Sequence, residues 1–371
     1  MAEHQVRNHV SRSVPSLDHD PVVVFWELTR ACALACRHCR ASAQPKRNPE
    51  ELTTEECFQV MDDLALFDLP PIVVLTGGDP LMRRDLFEIV SYGSAQGFRI
   101  AVAPSATALA TKKRLRSLSE AGVSRISFSL DGSGPETHDL FRGMPGSFHR
   151  TLQCISDAAE AGLSTQVNTT VTRRNIDDLP HLEELVASLG SSVWDLFFLV
   201  PTGRGLVEDM LEPDGHDKAF HWIYQMERRA PFSVKVTLGQ PYRRVRLTNE
   251  LQEAGVDYNE LRPEELLDLW EGVVPTNDGK GVLFISHVGE VQPSGFLPLP
   301  VGNVRFDSVA ALYRRSALFR SLRAADQLKG KCGVCPFRML CGGCRARAYG
   351  LTGDALAGDP TCPFIPYGIE N

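Results

Sequence analysis

The sequence has no apolar run long enough to cross a membrane. Its apolar runs, such as Ile72-Val73-Val74-Leu75 and Phe197-Phe198-Leu199-Val200, fall far short of the roughly 18 residues that a spanning helix needs. The stretch from Met1 to Pro21 is polar and lacks the apolar core of a signal peptide, so a cytoplasmic location is expected. Positive charge is not in excess. A net charge of −7 offers no general attraction to nucleic acid or anionic lipid, and neither is expected as a partner. There is no internal repeat and no low-complexity tract. With 43% apolar and 23% charged residues, a disordered chain, a coiled coil and a collagen-like polymer are excluded. Cysteine is missing from the whole stretch between Cys154 and Cys332.

What is present is a core and a rhythm. A chain of 371 residues suits two domains, or one large barrel plus an appendage. Strand-like runs fall at 21–28, 72–76, 98–103, 124–130, 164–171 and 193–200. Several are apolar nearly throughout, as strands buried on both faces are. Helix-like segments lie between them. The first opens on a capping box at Thr53 to Glu56 and continues through Phe58, Met61, Leu64 and Leu66. Another runs from Ser147 to Ala161 and stops at Gly162. Six β-then-α units imply an α/β fold with a parallel sheet. Six are too few to close an eight-stranded barrel, so a partial (β/α)6 barrel of TIM type is expected.

The rhythm fades after about residue 235. We read 1–20 as a flexible N-terminal segment, 21–240 as the barrel and 241–280 as a connecting region. Residues 281–371, with short strands, Gly/Pro turns and a cysteine group, form a small C-terminal domain.

The ten cysteines are not scattered. Three lie near the N-terminus, five lie near the C-terminus, and Cys57 and Cys154 stand alone on helices. In a reducing compartment such groups are metal ligands more often than disulfides. The two lone residues are expected to be buried, inert thiols. The first group, Cys32, Cys36 and Cys39, has the spacing C-x₃-C-x₂-C and follows the first strand. Three thiolates on one loop hold three irons of a cubane and leave the fourth iron open, a catalytic arrangement, since electron-carrying clusters use four cysteines. The competing readings are a zinc knuckle and a chance grouping. Zinc sites, however, normally pair their knuckles.

These residues resemble the radical S-adenosylmethionine (SAM) superfamily over about residues 20–235. The three-cysteine motif is its signature. Thr76-Gly77-Gly78-Asp79-Pro80 is similar to its Gly-Gly-Glu-Pro turn. Ser129-Leu130-Asp131-Gly132 with His138-Asp139-Leu140-Phe141-Arg142-Gly143 is similar to its peptide- and tetrapyrrole-modifying branch. The resemblance implies a [4Fe–4S] cluster on Cys32, Cys36 and Cys39, with SAM chelated at the open iron. One electron, from a donor such as flavodoxin or ferredoxin, would split SAM to a 5′-deoxyadenosyl radical that abstracts hydrogen from an unactivated carbon. The protein would hold SAM, aim the radical and exclude solvent.

The same resemblance implies the SAM contacts. Gly77 and Gly78 would let backbone approach the ligand, and Asp79, in place of the usual Glu, would hold its ammonium group; the alternative is a plain tight turn. Arg142 would fork onto the SAM carboxylate, or stand as a solvated loop arginine. Ser129 and Asp131 would bind ribose hydroxyls, unless Asp131-Gly132 is only a turn. Ser105 and Asn168 are further candidates. Pro201 to Gly205 would edge the adenine pocket or be a Gly-rich turn. His38 stands where an aromatic residue is usual, and its imidazole can pack on adenine.

The second group reads Cys332-Gly-Val-Cys335, then Cys341-Gly-Gly-Cys344, then Cys362. Two C-x₂-C pairs suggest zinc, but only five residues separate them, where a zinc ribbon has about fifteen. The run resembles the SPASM/twitch extension of radical SAM enzymes. That implies one auxiliary [4Fe–4S] cluster on Cys332, Cys335, Cys341 and Cys362. Ser294 lies where an upstream cysteine would be sought, so a second auxiliary cluster is not expected. Cys344 is left as a spare thiol, an alternative metal ligand or a ligand for substrate. Lys331, Arg338, Arg345 and Arg347 would offset the anionic cluster, attract substrate carboxylates, or be ordinary surface residues.

Cys341 to Tyr349 and Gly353-Asp354 look most like the tetrapyrrole-modifying members, which act on propionate or acetate side chains. A tetrapyrrole-like or other small-molecule substrate, oxidised or decarboxylated at a side chain, is therefore expected. The alternative is maturation of a ribosomally made peptide by thioether or carbon–carbon crosslinking. Its enzymes often carry an N-terminal winged-helix element, for which the residues before the first strand are too few. A non-catalytic iron–sulfur electron carrier or a zinc-binding module are the readings from other classes.

Overall fold

The computed structural model describes residues 16–366. One mixed sheet of eleven strands organises it. The strands are β1 (Val23–Thr29), β2 (Ile72–Gly77), β3 (Ile100–Val102), β4 (Val123–Ser129), β5 (Ser164–Val171), β6 (Val193–Phe198), β7 (Ser233–Thr237), β8 (Asn277–Asp278), β9 (Gly281–Ile285), β10 (Glu290–Gln292) and β11 (Gly302–Asn303). From β1 to β7 each strand pairs in parallel with the next. Helices α1 (Thr54–Leu64), α2 (Leu86–Ala95), α3 (Lys112–Glu120), α4 (Pro135–Arg142), α5 (Ser147–Glu160), α6 (Leu179–Ser188) and α7 (Pro213–Glu227) fill the crossovers. The order runs β11-β10-β9-β1-β2-β3-β4-β5-β6-β7, and the two ends do not pair. The α/β partial barrel is the fold.

Local signals explain most elements. Thr53 accepts from the Glu56 N–H while Glu56 reaches back to the Thr53 N–H, which completes the capping box of α1. That helix ends at Leu64, so Leu66, placed on it by spacing, lies beyond its end and is exposed. Along β1, Val24, Trp26 and Leu28 bury against the helices, while Phe25 and Glu27 take the opposite face.

Two features escape the periodicity. β7 is short and half-exposed, so it shows no apolar run, yet it extends the sheet by a strand beyond β6. β9 pairs in parallel with β1. The boundary read at residue 281 therefore does not coincide with an edge of the sheet. Residues 1–15 of the segment read as flexible lie outside the described residues. Of the remainder, Leu17 accepts from the Tyr313 hydroxyl and Asp20 is buried. Among the described residues no helix is long and apolar enough to cross a membrane.

Candidate active site

The three-cysteine loop leaves the C-terminal end of β1, the rim where barrel enzymes build their sites. Each sulfur meets at least one hydrogen-bond donor. The Leu34 N–H lies 3.3 Å from Cys32 Sγ, the Ala43 N–H 3.4 Å from Cys39 Sγ, and Arg142 Nη1 3.8 Å from Cys36 Sγ. Burial pushes the Cys32 and Cys36 thiols up. A buried thiolate set therefore needs positive charge beside it, and three unpaired thiols with donors aimed at them fit a three-cysteine cluster.

Neighbouring loops clamp this one. Gly78 donates to the Thr29 carbonyl and Asp79 to the Ala31 carbonyl. A Cβ on Gly78 would sit 2.5 Å from the Ala31 oxygen, so only glycine admits the contact. Gly203 meets the Arg40 carbonyl as closely, and Arg204 donates to the Cys36 and Ala43 carbonyls. The Pro201–Gly205 turn thus packs on the backbone of the cysteine loop.

The candidate SAM contacts fall into two sets. Ser105 reaches the cysteines, its hydroxyl 3.4 Å from Cys32 Sγ and 3.1 Å from the Gly78 carbonyl. Asp79 is fully buried and accepts from the Leu81 and Ser105 N–H groups and the Thr107 hydroxyl. Its carboxylate is engaged by the protein. Asp131 is also fully buried. Its Oδ1 accepts from the Thr170 N–H at 2.8 Å, and its Oδ2 lies 2.5 Å from Arg142 Nη2. Burial pushes that carboxyl up, but Arg142, then His38 and His138, hold it below the ordinary carboxylate range. Arg142 is therefore not a solvated loop residue: it bridges Asp131 and Cys36. His38 packs its ring on Phe141 with Nε2 3.7 Å from Asp131 Oδ2, and burial takes its pKa down to about 4.

Ser129 and Asn168 are register partners, and the row continues through Asp195 to Lys235. It forms a polar belt across β4 to β7. Lys235 Nζ lies 3.0 Å from Asp195, and the Thr237 hydroxyl donates to the same carboxylate at 2.8 Å. On the other side, Glu27 accepts from Arg40 at 2.9 Å and lies 2.9 Å from His287 Nδ1, while Arg40 stacks over Phe284. Burial raises the Glu27 carboxyl, and Arg40 and then His287 bring it below its ordinary value. Sequence reasoning missed Glu27, Asp195, Lys235 and His287. The signal was available for two of them, since Glu27 and Asp195 each interrupt an otherwise apolar strand.

The C-terminal cysteines meet in one pocket, lined by Cys332, Cys335, Cys341 and Cys362 with Phe337, Phe364, Arg244 and Lys331. Burial pushes the Cys335 thiol up to about 12 and raises the Cys341 thiol well above its ordinary value, with Cys362 and Cys335 nearby adding to the rise. Among the described residues no three His, Cys, Asp or Glu side chains converge on a single metal ion. A cubane spaces its thiolates more widely, one to each iron. Cys344 is not in the pocket lining; it is fully buried, and its Sγ caps the helix Arg345–Thr352 by accepting from the Arg347 N–H. Arg345 and Arg347 are buried rather than on the surface. Cys57 and Cys154 are buried with raised thiols, as inert residues are.

Residues 26–186 match the model of the Radical SAM superfamily. Over 351 residues the chain is 38% identical to the AdoMet-dependent heme synthase of Methanosarcina barkeri (strain Fusaro / DSM 804), covering 95% of this chain and 99% of that one. The chain belongs to the radical SAM superfamily. This radical SAM chain is also 30% identical over 372 residues to the pre-heme d1 synthase of Dinoroseobacter shibae (strain DSM 16493 / NCIMB 14021 / DFL 12), with 97% and 89% covered. Streptococcus suis SuiB bound to the precursor peptide SuiA shares its fold, with a TM-score of 0.70 at 13% identity, over 93% of this chain and 76% of that one. It is thus an enzyme of oxidoreductase type whose cofactors are a [4Fe–4S] cluster and SAM.

Proposed function

We propose that this enzyme oxidises a propionate-type side chain of an iron-tetrapyrrole, with loss of carbon dioxide. The observation that carries the reading is the end-to-end 38% identity to a heme synthase, which spans both cysteine regions. The cluster and SAM supply a 5′-deoxyadenosyl radical when bound. In the substrate, a side-chain carbon gives up one hydrogen atom to that radical, the carboxylate leaves as carbon dioxide, one electron passes to an external one-electron acceptor, and a vinyl group remains.

The chain's own residues take these roles. Cys32, Cys36 and Cys39 ligate the first cluster. Cys332, Cys335, Cys341 and Cys362 ligate the auxiliary one. Gly77, Gly78 and Ser105 shape the SAM edge of the cysteine loop, while Asp79, Asp131 and Arg142 hold that edge rigid from beneath. Ser129 and Asn168 begin the polar belt, and Lys235 offers its cation to a substrate carboxylate. Residues 21–240 act as the catalytic core, 241–280 as a connector and 281–371 as the auxiliary-cluster unit. A flavodoxin- or ferredoxin-type protein delivers the electron.

The test is anaerobic reconstitution followed by SAM, dithionite and iron-coproporphyrin III. The expected product is 5′-deoxyadenosine together with a porphyrin lighter by the elements of formic acid for each side chain changed. Formation of 5′-deoxyadenosine with the porphyrin mass unchanged would refute the substrate class. An intact pool of SAM would refute the chemistry.

A further inference from the structure

The sequence Cys341-Gly342-Gly343-Cys344-Arg345-Ala346-Arg347 places two buried arginines beside the C-terminal cysteines, and they are not equivalent. Arg347 is fully buried and forms an ion pair with Asp359 at 3.0 Å, its Nε also donating to that carboxylate. Arg345 is 1% exposed. Its guanidinium donates to three carbonyls, those of Gly343, Ala355 and Ala357, and from Nη2 to Cys332 Sγ at 3.5 Å. Among the described residues no carboxylate forms an ion pair with it. Two buried acids flank the motif: Asp359 is engaged by Arg347, the Cys344 N–H and Thr361, and Asp278 accepts from the Ala346 N–H; both feel the charge of Arg345 without pairing with it directly.

A buried cation without a counter-anion is strongly destabilising. Carbonyl dipoles soften that cost without cancelling the charge. What lies against the free edge of Arg345 is the thiol that lines the cysteine pocket. Gly343 makes the approach possible. It adopts φ +66°, and a Cβ there would sit 2.5 Å from Arg345 Nη2 and 2.9 Å from Cys332 Sγ. The Asp359 N–H, at 3.3 Å, is the second donor to the same sulfur. Among the described residues, Cys332 is thus the one cysteine of the four to which a buried guanidinium without a direct ion pair donates.

We propose that Arg345 is the resident counter-cation of the auxiliary cluster, donating to the Cys332 thiolate and raising the reduction potential of that cluster. The proposal rests on the assignment of a four-cysteine cluster to this pocket. A cubane on four thiolates carries net negative charge that grows by one on reduction, so a fixed cation at one sulfur favours the reduced form. Arg345 is a positioning and tuning residue, since it touches a ligand rather than substrate. Arg347 has no such role because Asp359 neutralises it.

The measurement is a redox titration followed by electron paramagnetic resonance on full-length protein carrying Cys32→Ala, Cys36→Ala and Cys39→Ala, so that one cluster reports. Iron absent from that chain with Arg345 intact would overturn the cluster assignment, and the proposal with it. With iron present, Arg345→Gln is expected to lower the equilibrium constant for one-electron reduction about tenfold or more, which is about 59 mV. Arg345→Lys, which keeps the charge, is expected to lie nearer the parent. A Gln chain that keeps its iron and its potential overturns the proposal. If the Gln chain loses iron, the Lys chain decides: retention of the cluster supports a counter-cation, and loss in both makes Arg345 a packing residue and overturns it.

Discussion

The two cysteine sites solve one electrostatic problem in different ways. At the first, the cation nearest a thiol, Arg142, is already neutralised by buried Asp131, and the other two sulfurs meet backbone N–H groups and the Ser105 hydroxyl. At the second, the cation touching a thiol has no direct ion pair among the described residues, only the longer-range charge of Asp278 and Asp359. The first site therefore keeps its geometry whether or not it holds a cluster, as suits a loop that must also admit SAM. The second aims a buried cation at a ligand thiol, as suits a permanently held anionic group. Neutralised cations build frameworks, and unneutralised buried ones mark where an anion belongs.

The comparison can be pressed hardest by deleting one site and counting iron. Cys32→Ala, Cys36→Ala and Cys39→Ala together are expected to abolish 5′-deoxyadenosine formation while the chain still binds about four irons. Cleavage at the parent rate would show that the catalytic cluster lies elsewhere. Asp131→Asn should come next in size, because it strands Arg142 in a buried site at a cost of about 3–5 kcal/mol. Denaturant unfolding would reveal that loss, and reconstituted protein should suffer less than apoprotein, since the cluster thiolate on Cys36 partly replaces the lost charge. An equal loss in both forms would break the link between Arg142 and the first cluster.

Gly343→Ala tests the second site more gently. The left-handed backbone costs about 1–2 kcal/mol with a side chain present, and the new Cβ pushes Arg345 away from Cys332. Reduced iron at the auxiliary site with unchanged 5′-deoxyadenosine formation is expected. The smallest effect belongs to Cys344→Ala. The loss of a helix cap costs about 1 kcal/mol, and the iron count should not move. A drop in iron would make Cys344 a ligand after all.

Much of this was legible along the chain. The strand rhythm, the capping box at Thr53 and the three-cysteine loop all depend on residues within a few positions of one another, so spacing alone encodes them. β7 was not visible, because Ser233 to Thr237 carries only two apolar residues on a half-exposed edge. Asp79 and Arg142 were visible as residues, but their partners were not. Thr107 reaches Asp79 from the loop after β3, and Asp131 meets Arg142 only because α4 folds back beside the end of β4.

Sequence by itself determined which loop gathers the three N-terminal cysteines, the α/β partial barrel and the existence of a second cysteine-rich site. Local spacing sets where a backbone turns and which thiols share one loop, and those are short-range facts. Only the tertiary structure decided that Cys362 lines the C-terminal pocket while Cys344, beside Arg345, turns away to cap a helix. It also brought His287 onto Glu27, buried both arginines of the motif and neutralised only one of them. Those choices depend on which surfaces pack together, and packing joins residues that no spacing rule connects.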